Sequence, residues 1–194
     1  MRILLLIGLS VLTACVTTPP RDPSNLCAIF AEKEEWYESA RRSELKWGLP
    51  IPVQMAILWQ ESSFVEDARP ERIRFLGIPL WRPSSAYGYG QVLDGTWDWY
   101  TEAAGRSQAA RDDFADVVEF LGWYSDQCRR KLGISPHDAY NLYLAYHEGL
   151  GGWRNGAHRG NPRLQQVARR VAWTARRYAG QLTRCRLHLE SRLE

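Results

Sequence analysis

The chain has 194 residues and a formal net charge of +3. This length leaves room for one domain, and no internal repeat is visible that would indicate a repeat architecture. The mildly basic charge is not decisive by itself, and we expect no nucleic-acid partner.

The first fourteen residues have the organisation of a secretory signal. Arg2 gives a basic start, and residues 3–12 are apolar apart from one glycine and one serine. This stretch is too short to cross a membrane as a helix and suits the apolar region of a signal peptide. The sequence Leu-Thr-Ala-Cys, ending at Cys15, closes it. We therefore expect residues 1–14 to be removed.

The end of this signal resembles the lipobox of bacterial lipoproteins. The resemblance implies that the signal is cut before Cys15, which then carries a lipid and anchors the protein in a membrane. Val16 follows, where an Asp would indicate retention at the inner membrane, so the implied location is the periplasmic face of the outer membrane. An ordinary signal followed by a chance cysteine is the alternative. Residues 15–24 contain three prolines and predict a polar, lipidated tether.

The folded domain is expected over residues 25–190, as a single, mainly α domain with about six helices. Residues 25–47 have one amphipathic helical period, and Pro52 opens the next helix, which carries Glu61. Residues 64–87 contain three prolines and predict a long irregular loop. Further helices are predicted over 94–104, from Asp112 or Asp113 to Gly133, from Ser135-Pro136 to Glu148, and over 162–187, with a glycine-rich loop at 149–161.

Three cysteines remain for the folded domain after Cys15. A secreted protein folds in an oxidising compartment, so a disulfide is expected. Cys27 and Cys185 bracket the two ends of the domain, whereas Cys128 falls inside a predicted helix, where buried free thiols are common. The sequence alone allows three pairings, of which we favour Cys27–Cys185.

The stretch from Met55 to Phe64 is an apolar run with one carboxylate, Glu61, near its end. Helical spacing places Ile57 and Leu58 on the same face as Glu61, and the helix should bury that face. Burial disfavours the charged form of a carboxyl group and raises its pKa, so Glu61 could act as a general acid near neutral pH. The alternative is a helix-end glutamate that turns into water or caps a neighbouring amide.

Two later segments carry residues suited to a sugar-binding cleft. Residues 86–91 read Ala-Tyr-Gly-Tyr-Gly-Gln, and residues 145–149 read Ala-Tyr-His-Glu-Gly. Two glycines allow a tight turn or close approach to a ligand, and Gln91 offers both donors and acceptors. The hydroxyl group of Tyr146 could meet a carboxyl group or a substrate. The chain also has nine Trp and nine Tyr, whose rings suit stacking on sugars.

Together with Glu61-Ser62, these segments resemble the motifs of the Slt-type lytic transglycosylases, a group of the lysozyme superfamily. The usual motifs are Glu-Ser, then Gly-Leu-Met-Gln, then Ala-Tyr-Asn-Ala-Gly. In this chain Tyr-Gly replaces Leu-Met, and His147 and Glu148 replace Asn and Ala. The resemblance covers residues 50–186. The loop between Glu61 and Gly88 looks longer than in the family and could cover or narrow the groove.

The resemblance implies cleavage of the β-1,4 bond between N-acetylmuramic acid and N-acetylglucosamine in peptidoglycan, with formation of 1,6-anhydromuramic acid. Glu61 corresponds to the catalytic acid and base. No cofactor and no metal are expected, because the four histidines lack the paired spacing of a metal site. We expect a monomer that acts on peptidoglycan strands. The implied substrate-binding residues are Ser62, Tyr89, Gln91, Tyr146, His147 and Glu148.

Two other functions stay open. One is a goose-type lysozyme, which would use water in place of the sugar hydroxyl group. A standard glycosidase uses two carboxylates, and Glu66, Asp67 and Glu148 are the candidates for the second. The other is a peptidoglycan-binding lipoprotein without catalysis. The intact Glu61-Ser62 pair argues against this last function, and the altered second motif argues weakly for it.

Overall fold

The computed structural model describes residues 18–193. The predicted signal peptide and Cys15 lie outside the described residues. Within them the chain is mainly helical, which confirms the predicted fold class, and it forms seven α-helices, one short 3-10 helix (Ala157–Gly160) and one two-stranded hairpin. The strands are β1 (Arg74–Phe75) and β2 (Ile78–Pro79). The helices are α1 (Leu26–Glu32), α2 (Glu34–Trp47), α3 (Ile51–Ser62), α4 (Asp94–Ala104), α5 (Phe114–Leu132), α6 (Ala139–Arg154) and α7 (Pro162–Glu190).

The prediction of one helix over residues 25–47 is wrong, because the backbone leaves the helical conformation at Lys33 and separates α1 from α2. The break is invisible in the hydrophobic pattern. Ile29 and Phe30 are buried from α1, and Trp36 and Tyr37 are buried from α2. These pairs are seven residues apart, which is two helical turns, so the apolar period continues across the break.

Helix α3 lies inside the core and carries Glu61 at its end. All residues from 51 to 58 are buried, including the polar Gln54. The Gln54 side-chain nitrogen donates to the carbonyl groups of Ala40, at 3.1 Å, and Leu49, at 2.8 Å. These bonds satisfy the buried amide nitrogen and tie α3 to α2, whereas the Gln54 side-chain oxygen has no hydrogen-bond partner among the described residues. Helix α7 packs against α3 as well.

Helices α2 and α5 approach each other closely at Gly122. A Cβ atom at this position would lie 2.4 Å from the Trp47 ring and 2.6 Å from the Ser43 hydroxyl oxygen. The same Ser43 hydroxyl group donates to the Val118 carbonyl group at 2.6 Å. The absence of a side chain at Gly122 therefore allows the hydrogen bond that links the two helices.

The two ends of the domain are joined covalently. Cys27 in α1 and Cys185 in α7 form a disulfide, with their Cα atoms 6.0 Å apart, and Cys128 is a buried free thiol in α5. This is the pairing that the sequence favours. The bond closes a long loop, a type of cross-link that restricts the unfolded chain strongly.

The last part of the predicted tether belongs to the folded domain. Pro20 is buried, and the carbonyl group of Pro23 accepts a hydrogen bond from the Tyr178 hydroxyl group. The Gln181 side chain donates to the Ser24 carbonyl group at 3.1 Å and accepts from the backbone nitrogen of Leu26 at 2.8 Å. The folded part therefore starts before residue 25, and residues 20–24 are not a free spacer.

Two predicted loops contain regular structure. The loop at 64–87 includes the hairpin of β1 and β2, and the loop at 149–161 is largely helical because α6 continues past Gly149 to Arg154. Gly149 itself has φ 71° and ψ 166°, which breaks the helix direction there. No helix among residues 18–193 is both long and apolar enough to span a membrane.

Candidate active site

A cleft of about 400 Å³ opens where the end of α3, the middle of α5, the break in α6 and the loop before α4 meet. Its lining brings together residues from all three predicted motifs. Aromatic rings from α5 and α6 form part of its wall, and both carboxyl groups that line it come from the first and third motifs. The lining residues used below are Glu61, Phe120, Gln91, Tyr146, His147 and Glu148.

Glu61 is held in apolar surroundings, as its helical spacing predicts. Ile57 and Leu58, one turn earlier, are 1% and 0% exposed. The Glu61 Oε1 atom is buried and has no hydrogen-bond partner among the described residues. Burial raises the pKa of Glu61 to about 7, and a hydrogen bond from the Tyr143 hydroxyl group opposes part of that rise. Near neutral pH, Glu61 can therefore both give and take a proton.

Tyr143 is a site residue that the sequence motifs miss. It lies on α6 and is 3% exposed, and its hydroxyl group is hydrogen-bonded to the Glu61 carboxyl group. Burial raises the pKa of Tyr143 far above its usual value, so the hydroxyl group remains a donor. The signal that could have identified it is helical spacing, since Tyr143 lies three residues before Tyr146 and shares its face.

The second motif forms a tight loop. Tyr87 and Val92 form an antiparallel bridge, and Gly88 between them has φ 77°. Gln91 also has a positive φ, of 49°, and its side-chain nitrogen donates to the carbonyl groups of Ala68, at 2.8 Å, and Gly88, at 3.0 Å. These bonds use both N–H groups of the amide, and Gln91 itself lines the cleft.

Tyr146 connects the third motif to the second. Its hydroxyl group donates to the Gly90 carbonyl group at 2.6 Å, and a Cβ atom at Gly90 would lie 3.0 Å from that hydroxyl oxygen. The Tyr146 ring meets the Tyr124 ring edge-on, with centroids 5.5 Å apart, and the Phe120 ring lies next to it. Tyr146 is therefore fixed from both sides, and its hydroxyl group positions the loop of the second motif.

His147 and Glu148 lie at the open side of the cleft. The His147 side chain is 52% exposed, the Glu148 side chain is 19% exposed, and His147 Nδ1 lies 3.7 Å from Glu148 Oε1. Glu148 is thus the second carboxyl group that the structure brings to the cleft. The other two candidates, Glu66 and Asp67, do not line it.

The family described as Transglycosylase SLT domain matches residues 3–185. The chain belongs to this family. A search of curated proteins finds no match. Family membership supports a lysozyme-like transglycosylase that acts on peptidoglycan, with a single SLT domain over most of the chain.

Two residues predicted to bind substrate do not lie at the cleft of the SLT domain. Ser62 is 8% exposed, and its hydroxyl group donates to the Leu58 carbonyl group at 3.3 Å, one turn earlier in α3. Tyr89 is 1% exposed and packs edge-on against the rings of Trp36 and Phe114, at 5.6 and 5.7 Å. The positions of both residues therefore give them structural roles.

Two further hollows are linked to the cleft of the SLT domain through shared lining residues. A smaller hollow shares His147 with the cleft and is lined further by Gln60, Tyr143 and Arg163. A third hollow shares Gln60 and reaches the exposed ring of Trp173. Surface for a polymer of several sugars therefore extends beyond the cleft itself.

The described residues offer no evident place for a metal ion. No group of three or more His, Cys, Asp or Glu side chains among residues 18–193 could hold one. Among the carboxyl groups of the described residues, Glu61 is the one whose pKa is clearly shifted.

Proposed function

We propose that the protein is a peptidoglycan lytic transglycosylase that cleaves between N-acetylmuramic acid and N-acetylglucosamine and forms 1,6-anhydromuramic acid. The observation that carries this proposal is Glu61, a buried carboxyl group with its pKa raised to about 7, in the cleft of an SLT-family chain. A carboxyl group with a pKa near the working pH suits a reaction in which one residue serves as acid and then as base.

In the first half of the proposed reaction, protonated Glu61 gives its proton to the glycosidic oxygen. The bond from that oxygen to C1 of the muramic acid breaks, and the sugar's own acetamido group helps to stabilise the positive charge that develops. The Tyr143 hydroxyl group supports this step, because its hydrogen bond favours the ionised form that Glu61 then adopts.

In the second half, ionised Glu61 takes the proton of the muramic acid C6 hydroxyl group. The C6 oxygen attacks C1 and closes the anhydro ring, which returns Glu61 to its starting state without consuming water. Gln91 and Tyr146 line the same cleft, and in this scheme they orient the sugar. A second carboxylate is not required in this scheme.

A hydrolytic lysozyme is the second candidate, and one observation favours it. Glu148 lines the cleft together with Glu61, so it could activate a water molecule as the second carboxylate of an ordinary glycosidase. The two candidates differ in the acceptor of the glycosyl group, which is the C6 hydroxyl group in one and water in the other.

The products distinguish the two candidates. Purified peptidoglycan is digested in water enriched in heavy oxygen, and the fragments are read by mass spectrometry. The transglycosylase produces anhydro ends without the label, and Glu148→Gln keeps most of its activity. Labelled reducing ends, together with loss of activity in Glu148→Gln, would overturn the proposal in favour of hydrolysis. Binding to peptidoglycan without any cleavage would support the non-catalytic alternative.

We propose further that the protein works as a monomer, anchored by a lipid on Cys15 at the periplasmic face of the outer membrane. The support is the signal pattern that ends at Cys15; the five-residue step from Cys15 to the buried Pro20 would keep the domain within about 18 Å of the anchor. Cys15→Ala should abolish lipid labelling of the protein and make it extractable from the outer-membrane fraction by high salt. A variant that stays in the membrane fraction and still carries lipid would contradict this site.

A further inference from the structure

The hairpin of β1 and β2 projects from the loop between the first two motifs. We call residues 73–81 the apolar hairpin. Phe75 pairs with Ile78, and the turn between them, Leu76-Gly77, has φ values of 49° and 82°. Two positive φ values are typical of the two-residue turns that suit the twist of a hairpin. Two backbone hydrogen bonds extend the pairing: the Ile73 nitrogen donates to the Trp81 carbonyl group at 2.9 Å, and the Leu80 nitrogen donates to the Ile73 carbonyl group at 2.8 Å.

The apolar hairpin exposes five large apolar side chains within nine residues. Their exposed fractions are 43% for Ile73, 66% for Phe75, 87% for Leu76, 63% for Ile78 and 63% for Trp81. The strand period and the register place Ile73, Phe75 and Ile78 on one face, and Leu76 lies at the tip. A contiguous exposed apolar surface of this kind marks an interaction site.

The apolar hairpin does not contribute to the cleft. Of the whole loop from 64 to 87, Ala86 is the residue that lines the cleft. The expectation that this loop covers or narrows the groove therefore finds no support in the structure. The exposed side chains of the apolar hairpin need a partner other than substrate bound at Glu61.

The charge around the apolar hairpin indicates what that partner is. Residues 69–82 contain four arginines and one acidic residue, Glu71. Arg72 donates to the Leu80 carbonyl group at 2.9 Å and Arg82 donates to the Pro70 carbonyl group, and neutral carbonyl acceptors leave the positive charges uncompensated. Aliphatic side chains next to arginines suit a partner that has an apolar interior beneath a layer of negative charges.

We propose that the apolar hairpin docks onto an anionic lipid bilayer. Its aliphatic tip would enter the boundary of the acyl chains, Trp81 would lie at the level of the headgroups, and the arginines would meet lipid phosphates. Sugar strands fit less well, because Ile73, Leu76 and Ile78 offer neither flat rings nor hydrogen bonds. A lipid anchor on Cys15 would hold the domain near such a surface, but the docking depends neither on that anchor nor on the catalytic proposal.

Flotation with lipid vesicles tests the docking. The protein from residue 18 onward retains every contact described here and lacks the predicted anchor. It should float with vesicles of phosphatidylethanolamine and phosphatidylglycerol at three to one, more weakly with phosphatidylcholine alone, and more weakly as salt rises. Phe75→Ser with Leu76→Ser should weaken binding at least about 10-fold. Arg74→Gln should weaken binding to the anionic vesicles about 5-fold.

A matched control replaces two exposed leucines elsewhere. Leu45 and Leu187 are 70% and 83% exposed on α2 and α7, and changing both to serine should leave flotation unchanged. Turnover of peptidoglycan and the unfolding temperature should match the wild type in all of these variants. Wild-type protein that floats with neither vesicle would overturn the proposal. Flotation of the Phe75→Ser, Leu76→Ser double variant at the wild-type level would also overturn it. If that variant floated normally but lost binding to purified peptidoglycan, the apolar hairpin would be a sugar-binding surface instead.

Discussion

Replacing Glu61 by glutamine should lower the turnover of peptidoglycan by at least about 10³-fold, because the amide can neither donate nor accept the transferred proton. Glutamine has nearly the same shape, and its uncharged amide suits the buried position, where Oε1 of the glutamate has no hydrogen-bond partner. Release of soluble muropeptides from purified peptidoglycan measures the loss. The fold should remain intact, as judged by circular dichroism.

The control for this variant is Asp67→Asn, which changes an exposed carboxyl group outside the cleft and should retain full turnover. If Glu61→Gln still released muropeptides at a rate near that of the wild type, Glu61 would not be the acid–base residue. For wild-type protein, kcat/KM should fall as the pH rises above about 7, because the fraction of free protein with a proton on Glu61 decreases.

The same variant should also change the pH dependence of stability. The pKa of Glu61 is raised from 4.5 to about 7 in the folded state, so the fold favours the protonated group. The stability that this group contributes is fully present below pH 4.5 and is lost as the pH rises through 7. The full loss amounts to about 3 kcal/mol at 1.36 kcal/mol per pKa unit. Glu61→Gln should therefore gain stability over the wild type at pH 8 and match it near pH 4, as measured by urea unfolding.

The burial of the Glu61 carboxyl group could be predicted from the sequence because helical spacing is a local property. Ile57 and Leu58 determine the surroundings of Glu61 through one turn of the same helix, and α3 forms as that spacing predicts. Gln91 and Tyr146 belong to sequence motifs, and a 2.6 Å hydrogen bond from the Tyr146 hydroxyl group to the Gly90 carbonyl group joins the third motif to the second.

The sequence-based predictions that the structure does not support depend on contacts between distant segments. The sequence leaves open whether the Tyr89 ring faces the cleft or the core. In the structure it packs in the core, against the rings of Trp36 from α2 and Phe114 from α5. The break at Lys33 also has a tertiary cause, since α1 is held against α7 by the disulfide while α2 packs on α5. A single sequence does not contain these pairings between helices.

Gly88 illustrates a requirement that only the packed structure makes visible. A Cβ atom at this position would lie 1.9 Å from the backbone oxygen of Arg111, and the φ of 77° is itself unfavourable for a residue with a side chain. The Arg111 oxygen also accepts the hydrogen bond from the Tyr89 backbone nitrogen at 3.2 Å. An alanine here must displace the loop that carries Gln91 and the carbonyl group to which Tyr146 is bonded.

We therefore expect Gly88→Ala to lower the free energy of unfolding by about 2–5 kcal/mol, the sum of left-handed strain and overpacking. Turnover should fall as well, because the loop of Gln91 shifts. Two controls separate the causes: Gly133 has φ 72° and open space, and Gly95 has open space and no positive φ. Gly133→Ala should cost only the strain, about 1–2 kcal/mol, and Gly95→Ala should cost almost nothing. If urea unfolding gave equal losses for Gly88→Ala and Gly133→Ala, the close approach of this loop to Arg111 would be refuted.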